Sequence, residues 1–401
     1  MDITNNKNKE NNANFNSPLG DGGVIILSDD ITGAAEIAGV CLRYGLKVSF
    51  GINELPCEAD VRIIATDSRS LSEDEAFQVH KELALKIKNQ SGINFIFKKC
   101  DSVLRGYVLT EMFALADGFE KKSVLLQPTN PATGRCIKNG IYFIGDRQLH
   151  ETGFAADPDF PAFSSLVKEL LKNRTTKTFE ANFPEILISD CDSVDELAKI
   201  ASLYTDEMLA CGSAAFFEQL LIRKFGLKKQ EQHINKPIFK NNFLFISGST
   251  HPSGNDFRAL MSQRNCMVSA IPHKLFAEIP DKKEFDNYCS QLINQYEQKV
   301  KKIIVYVDYQ QKNQALNPVK VKNIISDIAG VLLDKLEVCY VFIDGGATAF
   351  DVFMKLELRN FEPEAELAPG VVLLKSLDRE NLELIIKPGS YNWPKEYFVE
   401  D

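Results

Sequence analysis

The chain has 401 residues, 46 Lys plus Arg against 55 Asp plus Glu, a net charge of −9 and 44% apolar residues. That is ordinary globular composition with length for two or three domains, and the acidic balance excludes a nucleic-acid binder carried by overall charge. No apolar run approaches the ~18–20 residues of a membrane span, and the Cys and His spacings offer no metal motif.

Residues 1–20 hold seven Asn and no apolar segment, so they read as a disordered, solvated tail and not as a signal peptide. The nine Cys are at least 16 residues apart, as expected of reduced thiols in a cytoplasmic protein.

The first ordered element is the strand Val24–Leu27, followed by Ser28-Asp29-Asp30-Ile31-Thr32-Gly33 and a helix from Ala34 to about Tyr44. Lys47–Gly51 and Val61–Ala65 read as strands, Glu73–Lys88 as an amphipathic helix, and Ile93–Phe97 as a strand covered on both faces. A helix over Tyr107–Phe119 and a strand over Ser123–Leu126 follow. Ile141–Ile144, Gly145-Asp146 and Arg147–His150 read as a β-hairpin. The alternation resumes with Glu185–Ser189, Val194–Tyr204, Glu207–Ala210 and Ala214–Phe225. Polar, basic Lys228–Asn242 reads as a linker. Beyond it Phe243–Ile246, Val268–Ile271, Ile303–Val307, Val338–Ile343, Val371–Leu374 and Leu382–Ile386 read as strands. Helices over Phe257–Arg264, Glu284–Lys301, Pro318–Lys335 and Thr348–Leu358 lie between them. The expected fold is therefore α/β, with two three-layer domains over 21–227 and 243–401 and a cleft between them.

Chemistry-bearing residues gather at strand ends, where open α/β sheets bind ligands. Asp29 and Asp30 can bind a hydroxyl, act as a base or hold Mg²⁺, and an Asp here can equally cap the next helix. Arg69 follows the strand Val61–Ala65, and Arg grips carboxylates bidentately. Lys98, Lys99, Asp101, Ser102 and Arg105 follow Ile93–Phe97, a local positive cluster suited to an anion. In the second half Ser247-Gly248-Ser249 and Gly345-Gly346-Ala347-Thr348 are small-residue turns of the kind that cradle phosphate. Lys387 and Gly389 end the last strand, where the Lys can meet a phosphate. No Walker loop or GxGxxG follows a strand, which removes the basis for a dinucleotide oxidoreductase.

These residues resemble the four-carbon acid sugar kinase family. Ser28-Asp29-Asp30-Ile31-Thr32-Gly33-Ala34 is similar to the family's ADDLTGA, Asp67-Ser68-Arg69 to its DSR, and Lys99–Gly106 to K-x-DSTLRG. Pro128–Arg135, Gly140–Tyr142 and Leu149-His150-Glu151-Thr152 match further motifs. The resemblance implies a sugar-acid-binding N-terminal domain, a nucleotide-binding C-terminal domain, and phosphorylation of threonate or erythronate by ATP with Mg²⁺. It implies Asp29, Asp30, Arg69, Lys99, Asp101, Ser102 and Arg105 on the substrate side, with Asp30 or Asp29 catalytic. Ser247, Ser249, Gly345, Gly346, Ala347, Thr348, Lys387 and Gly389 fall on the nucleotide side.

The second half departs from the family pattern. His251 and Gly254 replace Ser and Thr of SGSxSxxT, Ala347 replaces the Glu of GGETA, and KSGGFG becomes Lys387-Pro388-Gly389-Ser390-Tyr391-Asn392. A catalytically weakened sugar-acid or nucleotide sensor is the alternative these changes raise. The expected partners are small molecules only, with no nucleic acid or membrane; homo-oligomerisation is left open.

Overall fold

The computed structural model describes residues 18–20, 22–157, 159–177, 184–230, 239, 242–249, 253–264, 266–277, 281–298, 301–309, 316–389 and 391–398. Nearly all of the expected tail and most of the expected linker lie outside the described residues, as do His251 and Ser390.

Among the described residues fourteen strands form one continuous sheet. Its order is Met267–Ala270, Lys302–Tyr306, Phe243–Ser247, Tyr340–Asp344, Glu383–Lys387, Val371–Ser376, Asn360–Ala368, Val48–Ile52, Val61–Ala65, Gly23–Ser28, Ile93–Lys99, Met208–Gly212, Ser123–Gln127 and Glu185–Leu187. The first five strands pair in parallel, and so do the last seven. The strands are apolar on both faces because both faces are covered. Along Gly23–Ser28, Val24 and Ile26 enter one core cluster while Ile25 and Leu27 enter another. The expected α/β architecture with two halves is present. The expected hairpin gains a third strand, Arg135–Lys138, and ends at Gln148.

Sequence reading missed the strand Asn360–Ala368. It pairs antiparallel with Val371–Ser376 on one side and with Val48–Ile52 on the other, joining the halves edge to edge. Its buried Phe361 and Pro363 alternate with exposed Glu362 and Glu364. Three antiparallel pairings separate the two parallel sets, so the sets run in opposite senses. Twist largely cancels that reversal. At roughly 20–25° per step, the six steps from Tyr340–Asp344 to Gly23–Ser28 turn the chain direction by ~120–150°. The carboxyl ends of both sets are thereby brought to one side.

Side chains close the same seam. Arg43 lies 2.6 Å from Glu366 and 3.4 Å from Glu218. The Phe361 ring packs 5.6 Å from Phe50 in the first half and 4.8 Å from Phe353 in the second. Phe361→Ala removes a wholly buried ring from this joint and should lower stability by about 3–5 kcal/mol. Denaturant unfolding measures it, and a loss below about 1 kcal/mol would mean that the strand does not hold the halves together.

Candidate active site

The three strands Val61–Ala65, Gly23–Ser28 and Ile93–Lys99 end in register, with Ser28 opposite Ala65 on one side and Lys99 on the other. Asp29-Asp30, Thr66-Asp67 and Cys100-Asp101 therefore emerge side by side. Asp67 adopts φ +47°, a left-handed conformation that Asp tolerates, and the one-turn helix Ser68–Ser70 follows. This turn sends Arg69 across the central strand. Its Nε is 2.9 Å from Asp29 Oδ2, one Nη is 2.7 Å from Asp30 Oδ1 and the other 3.8 Å from Asp101 Oδ1. Gly106, at φ +85°, makes room: a Cβ there would lie 2.8 Å from Arg69 Cγ.

The two adjacent acids are not equivalent. Asp30 caps the helix Ile31–Arg43, accepting from Gly33 N at 2.8 Å and Thr32 Oγ1 at 2.7 Å. Despite burial, Arg69, Lys99 and these bonds hold its carboxyl below the ordinary value. Asp29 is 1% exposed, and its Arg69 contact is off the N–H axis, so neither oxygen receives an aligned hydrogen bond. Burial pushes its carboxyl up to about 6, against the pull of Arg69 and Lys98. A carboxylate poised there suits a general base.

The expected positive patch is paired off by acids, of which sequence reading had associated only Asp101 with it. Lys98 is fully buried 2.7 Å from Glu111, which also accepts from Ser68 Oγ at 2.5 Å. His80 stands 3.7 Å from the same carboxylate, and burial drives its ring down to about 4. Lys99 donates to Cys100 O at 3.0 Å and lies 3.6 Å from Glu36. Asp101 takes Arg105 bidentately at 2.9 Å through each contact, and Asp157 takes another Arg105 nitrogen at 3.2 Å. Against the upward push of burial, Arg105 and then Arg69 hold the Asp101 carboxyl well below the usual range. Ser102 accepts from Arg135 at 2.7 Å. Glu36 and Glu111 sit just beyond the motifs, two residues past Ala34 and five past Gly106, on helices where a charge reads as part of a solvated face.

In the second half, Ser249, Gly345, Thr348 and Gly389 come together. A Cβ on Gly389 would lie 2.8 Å from Ser249 Oγ, and one on Gly248 would lie 2.4 Å from Thr348 Oγ1. Gly345, at φ +104°, caps the helix Gly346–Lys355 without a side chain, leaving its first N–H groups open. Ala347 is exposed on that first turn. Lys387 is fully buried, bonded to Asp344 and donating to Pro388 O at 3.1 Å and Gly389 O at 3.4 Å. Ser247 donates to the same Asp344 at 3.3 Å. Lys387 and Ser247 thus brace the turn from beneath.

The two clusters meet. The position a Cβ on Gly346 would take lies 3.1 Å from Thr32 and 3.5 Å from Asp30 Oδ2. The open helix end of one half faces the acids of the other. Such an end, with small residues around it, can hold phosphate; the carboxylates across from it can bind and deprotonate a hydroxyl.

Comparison with known proteins agrees with this division. The model of a sugar-binding N-terminal domain matches residues 24–199, and that of a nucleotide-binding C-terminal domain matches residues 244–391. A Haemophilus influenzae 3-oxo-tetronate kinase is 24% identical over 94% of this chain and 98% of its own. A D-threonate kinase of Bordetella bronchiseptica is 33% identical over 36% of this chain and 38% of its own. A D-erythronate kinase of Heliobacterium modesticaldum is 30% identical over 37% of this chain and 35% of its own. A solved chain from Salmonella typhimurium LT2 has the same fold at 17% identity, with a TM-score of 0.75 over 94% of this chain and 98% of that one. No helix among the described residues is long and apolar enough to cross a membrane.

The raised Asp29 carboxyl has a signature in stability. From its ordinary 3.8 up to about 6, the folded protein binds this proton more tightly than the unfolded chain. Stability therefore falls as pH rises through that window, and the penalty is complete above it, of order 2–3 kcal/mol. Asp29→Asn should lack this component, gaining on the wild type by that order between pH 4 and 7 in denaturant titrations. A pH-independent difference would contradict the assignment.

Proposed function

The chain belongs to the four-carbon acid sugar kinase family, and from that premise we propose that it transfers the γ-phosphoryl group of ATP to a hydroxyl of a four-carbon sugar acid. The observation that carries the reading is the juxtaposition of Asp29 and Asp30 with the open helix end at Gly346. Phosphoryl transfer needs positioning, charge neutralisation and a base, with no covalent protein nucleophile.

The nucleotide side fits polyphosphate. Gly248, Gly345 and Gly389 leave backbone exposed where side chains would intrude, and the N–H groups at Gly346–Thr348 supply donors. Mg²⁺ bound with the nucleotide supplies neutralisation of phosphate charge, and Asp30 is the carboxylate facing that cradle. Asp30 is ionised, capped and fixed, which suits orienting the acceptor. Asp29, without aligned donors, is the base. In the transfer the substrate hydroxyl oxygen forms its bond to phosphorus as the bond to the leaving oxygen of ADP breaks. The electron pair departs with ADP and the hydroxyl proton passes to Asp29. Arg69 fixes both aspartates, while Lys99, Asp101, Ser102 and Arg105 shape the acid-binding wall. The acids in the names of the relatives, 3-oxo-tetronate, D-threonate and D-erythronate, support these three as the acceptors to try first.

ADP release measured with each of these three acids tests the reading. Turnover with at least one is expected, with kcat/KM rising along a limb centred near pH 6 as Asp29 loses its proton. Asp29→Asn should lower kcat by roughly 10²–10⁴-fold. Binding of the acids with no ADP release from any would overturn the proposal, as would an Asp29→Asn enzyme within threefold of the wild type.

A further inference from the structure

The cations that read as suited to an anion already face protein carboxylates: Lys98 faces Glu111, Lys99 faces Glu36, Arg69 faces three aspartates and Arg105 faces Asp101 and Asp157. Two guanidinium groups at the same wall have no carboxylate within ion-pair distance among the described residues. Arg174 directs its donors to the carbonyls of Leu104 and Phe160. The other is Arg135, half-buried, which gives Nη1 to Ser102 Oγ at 2.7 Å.

Arg135 is held rigidly. Asn130 and Arg135 exchange backbone hydrogen bonds at 2.9 and 3.1 Å around Gly134, whose φ is +71°. Gly134 O in turn accepts from Gly145 N at 2.8 Å, tying the turn to the hairpin. Ser102 is fixed from behind, its carbonyl accepting from the Tyr142 hydroxyl. From the second half Tyr391 reaches over the same spot. Its hydroxyl is 3.4 Å from Glu36, the partner of Lys99, and within hydrogen-bond reach of Arg135.

We propose that Arg135, with Ser102 beside it and Tyr391 closing over it, receives the carboxylate of the sugar acid. This rests on the kinase reading above. A guanidinium offers two parallel N–H donors to one carboxylate, and a charge left without a carboxylate partner among the described residues, at a wall of paired charges, is one an anionic ligand can neutralise. An acid anchored there runs past Asp101 and Arg69 toward Asp29 and Asp30, so the carboxylate and the accepting hydroxyl are read at opposite ends. Contact with Tyr391 would couple the acid to the half that holds the nucleotide.

Steady-state kinetics of Arg135→Met and Arg135→Lys, with the preferred acid and its primary amide, test this. For Arg135→Met the KM for the acid should rise at least 30-fold with kcat within about threefold. The wild type's preference for acid over amide should fall toward unity. Arg135→Lys, which keeps the charge but not the fork, should show an intermediate KM and serves alone if the Met variant does not fold. An unchanged acid KM in both variants, a retained preference over the amide, or a fall in kcat at unchanged KM would overturn the assignment. If the wild type turns over none of the acids, the kinase reading fails instead, and calorimetry of acid binding to wild type and Arg135→Met still tests the carboxylate site.

Discussion

The aspartates of the first half of the site are organised around one guanidinium, whose side chain is 17% exposed. Arg69 leaves the strand beside Gly23–Ser28, crosses that strand's two aspartates and reaches toward Asp101 on the strand beyond. Desolvating several ions here costs several kcal/mol each before their mutual attraction repays it. The arrangement is thus poor evidence for stability and good evidence for fixed charge. Without Arg69, three carboxylates would repel one another at adjoining strand ends. With it, Asp30 is held ionised while Asp29 remains without an aligned donor.

Each half repeats a further device beneath its loops. Lys98 with Glu111 in the first half, and Lys387 with Asp344 in the second, are lysine–carboxylate pairs with essentially no exposure. Lys98 is the next-to-last residue of its strand and Lys387 the last of its own, and the residues that follow form the site. Breaking either pair would leave an uncompensated buried charge, which is far more disruptive than never having had the pair. The turns above them are accordingly stiff, as phosphoryl transfer between two held reactants requires. The continuous sheet extends that stiffness across the seam, since Asn360–Ala368 hydrogen-bonds to both halves and Arg43 grips Glu366.

Much of this was legible in the sequence because it is local. Apolar runs mark the strands, and Asp29-Asp30, Asp67-Ser68-Arg69 and Lys99–Gly106 lie directly at their ends. A helix cap was legible for one of the two adjacent acids, and the structure assigns it to Asp30 because the helix begins at Ile31. What was hidden depends on long-range pairing. Glu111 lies within the helix Val108–Gly118, and Glu36 within Ile31–Arg43, where a charge ordinarily reads as a solvated face. Counting Lys98, Lys99, Arg69 and Arg105 without these acids made the wall look positive. Pro363 and alternating glutamates disguised the strand Asn360–Ala368, although their spacing of two is that of a strand with one covered face. Arg135 was visible within a motif, but its importance emerges only when the other cations are seen to be paired.

In the proposed kinase, acid and nucleotide would occupy adjoining sites where Gly346 approaches Asp30 and Thr32. Calorimetric titration of the preferred sugar acid, with and without a saturating non-hydrolysable ATP analogue and Mg²⁺, tests it most directly. Each ligand should change the other's affinity by the same factor, at least severalfold, because both bear on one seam. Identical acid affinities in the two titrations would contradict it.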